Sequence, residues 1–164
     1  MKLFKAFIFL FIFLGIFWLL LTNNSQPELI VGLIIAAVLA ILFGNRHSVF
    51  AELRCSPRAI LSMVIYSFVF ISELIKSNLD VAKRVVSPNL PINPGIVKVK
   101  TKLTSRLGRM ILANSITLTP GTLTVETDED NFYIHWIDLS SEDIEEATRK
   151  IVRKFEKYLE VCFG

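Results

Sequence analysis

AILSMVIYSFVFISELI, residues 59–75, is apolar enough to cross a bilayer, and it follows Pro57, a residue suited to the first turn of a helix. Its reading decides the architecture, because two other apolar runs precede it. The positive-inside rule separates the options. Lys2 and Lys5 mark the N-terminus, Arg46, Arg54 and Arg58 mark the 45–58 loop, and the segment after Ile75 is basic. The 22–28 turn has no Lys or Arg. Two spans place all three basic regions on one side, whereas three spans strand one of them. The expectation is therefore a third helix that lies along or dips into the cytoplasmic face, or is buried against partner subunits.

Working back from it, residues 6–21 form an uninterrupted run of 16 apolar or glycine residues, just enough to span. TNNSQ offers no small-residue cleavage pattern, so the run reads as an uncleaved anchor rather than a signal peptide. Asn23 and Asn24 favour a turn, and Pro27 and Glu28 suit the start of the next helix. That helix, about 28–44, carries Gly32, Ala36, Ala37 and Ala40 at helical spacing, where another helix can approach closely or lipid can lie. No ionisable side chain stands between Lys5 and Glu28 or between Glu28 and Arg46. Two such helices alone cannot form a proton or cation path, which needs charged groups or polar breaks.

Working forward, the helix expected over 57–86 contains Glu73. A carboxylate at membrane depth reads either as part of a proton path or as a partner for Lys76 three residues on. Pro88, Pro91 and Pro94 then impose an extended linker. The expected boundaries are 1–87 for membrane helices, 88–94 for the linker and 95–164 for a small α+β domain of order β-α-β-β-α. IVKVK (96–100) alternates as a strand. RLGRMILANSITL reads as a helix with Leu107, Met110, Ile111 and Asn114 near one face. Thr122–Glu126 and Phe132–Ile137 read as strands joined by the TDEDN tip. The last helix opens with Ser140 as its cap and Asp143 at capping-box spacing. Ile144, Ala147, Ile151, Phe155, Leu159 and Cys162 form its apolar stripe.

Chemistry is sparse. Cys55 and Cys162 lack CxxC spacing and read as ordinary small apolar residues, with no disulfide and no metal site. His135 has no Cys, His or carboxylate cluster beside it in sequence and reads as a packed strand residue. No catalytic triad or metal-ligand spacing appears, so no catalytic residue, cofactor, small-molecule substrate or enzyme activity is expected. Between Lys76 and Arg109 stand eight bases and one acid, and the belt includes Lys83, Arg84, Lys98, Lys100, Lys102, Arg106 and Arg109. Such a belt beside a membrane segment suits anionic headgroups or an acidic partner, and no nucleic-acid module accompanies it.

The stretch ANSITLTPGTLTVE (113–126) holds Asn114, Ser115, Thr117, Thr119, Pro120, Gly121 and Thr122. It lacks a glycine-rich cradle, a P-loop lysine or paired carboxylates. Pro120 and Gly121 fit the centre of a type II turn, with Gly supplying positive φ. The structural reading is thus the stronger one.

SNLDVAKRVV (77–86), NPGIVKV (93–99), ANSITLTPGTLTVE (113–126) and FYIHWIDL (132–139) together resemble the E subunit of Mrp-type multisubunit cation/proton antiporters. E-like subunits of membrane-bound hydrogenase complexes are similar. The resemblance covers nearly the whole chain. It implies an accessory, multi-pass subunit of the cell membrane, with its N-terminus and C-terminal domain cytoplasmic, serving assembly and stability. Its partners would be the other antiporter subunits and the bilayer, and the exchange of sodium or another monovalent cation for protons would belong mainly to larger subunits. The same role in a redox-driven complex is the alternative, and a stand-alone membrane-anchored lipid- or protein-binding module is the second. The resemblance makes Asn114 to Gly121 a structural or docking element.

Overall fold

The computed structural model describes residues 2–22, 25–44, 52, 54, 56–141 and 143–164. Asn23, Asn24, Arg46 and Cys55, named above, lie outside the described residues. The chain divides into two compact units, Met1–Leu53 and Arg54–Gly164.

The first unit is a helical hairpin of α1 (Lys2–Leu21) and α2 (Gln26–Gly44). The indole N–H of Trp18 donates to the carbonyl of Glu28 at 3.0 Å. Its ring lies where any side chain at residue 32 would stand, so glycine is required there. Ala36 and Ala40, one and two turns further, are almost completely buried. The small-residue spacing therefore receives α1 itself. The carboxylate of Glu28 accepts from the backbone N–H of Ser25 at 3.3 Å, and so serves the exposed amides at the start of α2. Most other apolar side chains of both helices face outward.

In the second unit, α3 (Pro57–Val86) is capped by Ser56, whose hydroxyl accepts from the N–H of Ala59 at 3.1 Å. The sheet has β1 (Gly95–Lys100), β2 (Thr122–Asp128) and β3 (Asn131–Trp136) in the order β1-β3-β2, with β3 antiparallel to both neighbours. Helix α4 (Arg106–Leu118) connects β1 to β2, leaving room for β3 between them. Two helices, α5 (Ile144–Ile151) and α6 (Arg153–Phe163), close the chain. Val97, Val99, Phe132 and Ile134 line one face of the sheet and are buried. Leu107, Leu112 and Ile116 of α4 and the expected stripe of Ala147, Ile151, Phe155, Leu159 and Cys162 are buried as well, with α4 packed against β2 and α6, and α5 against β1.

Several expectations change in detail. The single last helix is two, because the N–H groups of Phe155 and Glu156 both bond the carbonyl of Val152 at 3.0 Å, which tightens one turn. The observed order is therefore β-α-β-β-α-α. The cap of α5 is Asp143, which accepts from the N–H of Glu146, and Ser140 instead accepts from Lys150. The buried face of α4 keeps Leu107 but runs through Leu112, Ser115 and Ile116, leaving Met110 and Asn114 exposed. Helix α3 falls in the same compact unit as the sheet, Arg54–Gly164. By length and composition, Gln26–Phe43 and Pro57–Val86 are the helices able to cross a membrane among the described residues, and Phe7–Leu21 is a shorter apolar run.

Candidate functional site

The threonine-rich stretch sits where α4 ends. Thr119 closes the helix, its N–H bonding the carbonyls of Ser115 and Ile116. Thr119, Pro120, Gly121 and Thr122 form a β-turn, with the N–H of Thr122 bonding the carbonyl of Thr119 at 3.2 Å. Gly121 has φ +91°, the left-handed value that the third position of a type II turn requires. Hydroxyls add further donors to carbonyls in the last turns of α4. Thr119 Oγ1 donates to Ser115 at 2.7 Å, Thr122 Oγ1 to Ile116 at 2.6 Å, and Thr124 Oγ1 to Ala113 at 3.1 Å. The hydroxyl of Thr117 accepts from the N–H of Thr124 at 3.1 Å, tying the helix to β2. Ser115 shares a short hydrogen bond with the Tyr66 hydroxyl of α3. Asn114 is exposed and lines a groove with Arg106, Arg109 and Thr127.

Beneath the turn lies a cavity of about 260 Å³. Ser77, Asp80 and Arg84 of α3 form one wall; Thr119 to Thr122, Trp136 to Asp138, Lys150 and Lys154 form others. Its charges are matched. Arg84 donates to Asp80 at 2.8 Å, to Asp138 at 2.9 Å and to the carbonyl of Pro91 at 2.6 Å. Lys150 meets Glu146 at 2.8 Å, and Lys154 meets Glu73 at 2.9 Å. The Lys150 ammonium holds the Glu146 carboxyl below its usual range, with a smaller contribution from Ser141.

Glu73 thus pairs with Lys76 at 3.2 Å and with Lys154, the latter 81 positions away in sequence. The basic residues have different neighbours. Arg84 is committed to carboxylates, Lys98 stands 5.9 Å from the Tyr133 ring, and Arg109 stands 5.7 Å from the Phe132 ring. Lys100 and Lys102 line a separate groove with Asp130 and Glu145. Lys83 is exposed on α3. His135 lies on the outward face of the sheet, opposite Ile96 on one side and Leu123 on the other. Cys162 is buried, and its thiol donates to the carbonyl of Ala59 at 3.3 Å.

The sequence reading missed Glu156. It is 5% exposed, and its carboxylate accepts from Thr101 Oγ1 at 2.6 Å and from the N–H of Lys102 at 2.7 Å. Its signal was an acid standing next to Phe155 and three residues before Leu159, on the apolar side of its helix. Asp138 and Lys154 carried no local signal, since their partners lie on α3.

The model of the Na+/H+ ion antiporter subunit family (MNHE) matches residues 11–161, almost the full chain. The chain belongs to that family. A Na(+)/H(+) antiporter E subunit from Bacillus subtilis is 36% identical over 155 residues, covering 93% of this chain and 95% of the relative. The Na(+)/H(+) antiporter E subunit of Alkalihalophilus pseudofirmus is 35% identical over 147 residues, covering 88% and 89%. Among solved structures, a chain of the membrane-bound sulfane sulfur reductase, an archaeal respiratory membrane complex, aligns with a TM-score of 0.83. It is 42% identical, with 96% of this chain and 98% of that chain covered. The expected resemblance to the antiporter E subunits is borne out, and this family member is a membrane protein.

Proposed function

We propose that this subunit is an accessory, non-catalytic component of a multisubunit monovalent cation/proton antiporter in the cell membrane, moving sodium against protons. The observation that carries the reading is the end-to-end relationship to antiporter E subunits, with both chains covered over nine-tenths of their length. The charge pattern supports it. Helices α1 and α2 hold no ionisable side chain between Lys5 and Glu28 or between Glu28 and Arg46, so the hairpin anchors rather than conducts. Helix α1 is about 30 Å long at 1.5 Å per residue, the thickness of a bilayer core. Both termini then lie on the cytoplasmic side, with the 22–28 turn outside. The Thr119–Thr122 turn serves this role by fixing α4 and β2, and the matched charges of its cavity favour structure over ligand binding.

A second reading is the equivalent position in a redox-driven membrane complex. It rests on the 42% identity to a chain of the sulfane sulfur reductase. Affinity purification from native membranes in mild detergent, followed by mass spectrometry, separates the two. Large multi-helix antiporter subunits without redox proteins are the expected result. The same subunits with metal-cluster proteins would select the second reading. A chain that elutes alone and folded would overturn both.

A further inference from the structure

We propose that α3 does not cross the membrane but lies in its plane, docking a lengthwise apolar stripe into the surface of an anionic bilayer while carrying the α+β unit on its other side. By composition α3 passes as a span. Its packing forbids that. Contacts to the rest of its unit run along almost its whole length. Near the start, the Cys162 thiol bonds the Ala59 carbonyl, and Ser62 Oγ bonds the carbonyl of Tyr158 at 3.0 Å. In the middle, the Phe70 ring stands 6.3 Å from that of Phe155, and Lys154 pairs with Glu73. Near the end, Arg84 pairs with Asp138. If α3 spanned, the charged helix α6 and an open-edged sheet would be drawn into hydrocarbon with it. Lipid cannot satisfy exposed sheet edges, and it strongly disfavours such a density of charge.

The opposite face carries a long apolar stripe, with Asn78 as the exposed polar residue within it. Ile60, Val64, Phe68, Ile71, Ile75 and Leu79 recur at steps of four, four, three, four and four, and are 48–70% exposed. The stripe is about 29 Å long at 1.5 Å per residue. It continues past Glu73 and Lys76 to Leu79, into the half of α3 where charged residues begin. Its occupant is identified by charge. Arg58, Lys76 and Lys83 fall on one border of the stripe, within about 20° of a common line at 100° per residue. All three are exposed, and Arg58 and Lys83 have no ion pair among the described residues. The acids of α3, Glu73 and Asp80, are both engaged by bases. An apolar face bordered by bases with no free acid is matched to acyl chains beneath anionic headgroups. A partner protein could also bury the stripe, but would not require the basic border. The arrangement holds for either complex proposed above.

The test uses the full chain, in its complex, reconstituted into vesicles of phosphatidylglycerol and phosphatidylcholine. In a Cys55→Ser background, nitroxide is attached to Ile60→Cys, Phe68→Cys, Ile75→Cys and Leu79→Cys, one at a time, and depth is read by oxygen against nickel-chelate accessibility. Equal, shallow depths at all four sites are expected. Depth passing through a maximum near the middle of α3 would overturn the proposal in favour of a span. Low accessibility to both reagents would overturn it in favour of a partner protein. Unmodified protein gives an independent reading through a photoactivatable lipid with its carbene near the headgroup. Labelling along the whole stripe supports the proposal, and its absence sinks it. Replacing phosphatidylglycerol by phosphatidylcholine, or combining Arg58→Gln, Lys76→Gln and Lys83→Gln, should lower that labelling several-fold. No change under either would remove the anionic surface as the occupant.

Discussion

Gly121 shows how a single position holds the turn in place. Its φ of +91° disfavours any side chain, and a Cβ there would stand 2.9 Å from the Ile137 side chain. Gly121→Val should therefore destabilise the protein by about 1–3 kcal/mol. An unchanged melting temperature by calorimetry would remove this account. Glu156 works through its acceptors. Glu156→Ala leaves the Thr101 hydroxyl and the Lys102 N–H without their partner, a loss of about 1–3 kcal/mol. Glu156→Gln keeps an oxygen in place and should lose less; equal losses for the two in urea titration would show that packing, not acceptance, matters. Cys162 links stability to pH. Burial pushes its thiol up, against a smaller opposing effect from Ser62. The folded state therefore favours the protonated thiol. That stability is complete below the ordinary thiol pKa and is lost as pH rises through the folded value. Between about pH 7 and about pH 10, Cys162→Ala in a Cys55→Ser background should lose less stability than its parent. Parallel losses in the two proteins would contradict the linkage.

At the scale of elements, alternation and helical spacing made the strands, α4 and the stripe of α5 and α6 legible. IVKVK carries its own period of two, and Pro120-Gly121 its own turn type. What the sequence hid is pairing between distant elements. Nothing near Lys154 points to Glu73, and nothing near Ser115 points to Tyr66. The start of the last helix was misplaced because Ser140 and Asp143 are both good caps, and the choice falls to the one whose carboxylate reaches a free N–H. The exposed face of α4 was ambiguous because Met110 and Leu112 are equally apolar. Only the position of β2 and α6 decides which is covered.

For the whole molecule, the decisive fact is that α3 belongs to the sheet's unit. A piece of about 70 residues beginning at Gly95 retains the sheet, α4, α5 and α6 but exposes the face of α6 that α3 covers. Phe155 loses Tyr66 and Phe70, both 6.3 Å away between ring centres, and Cys162 loses Ala59. Each large apolar side chain returned to water costs about 1.5–3 kcal/mol. A domain of this size holds only about 0.05–0.15 kcal/mol per residue in total. The two quantities are comparable, so removal of α3 should abolish cooperative folding. A fragment spanning Arg54–Gly164 keeps every one of these contacts and should unfold in a single transition in mild detergent, whereas Gly95–Gly164 should show none by circular dichroism in urea. If the shorter fragment melts as sharply as the longer one, α3 is an attachment to a self-sufficient domain rather than part of its core.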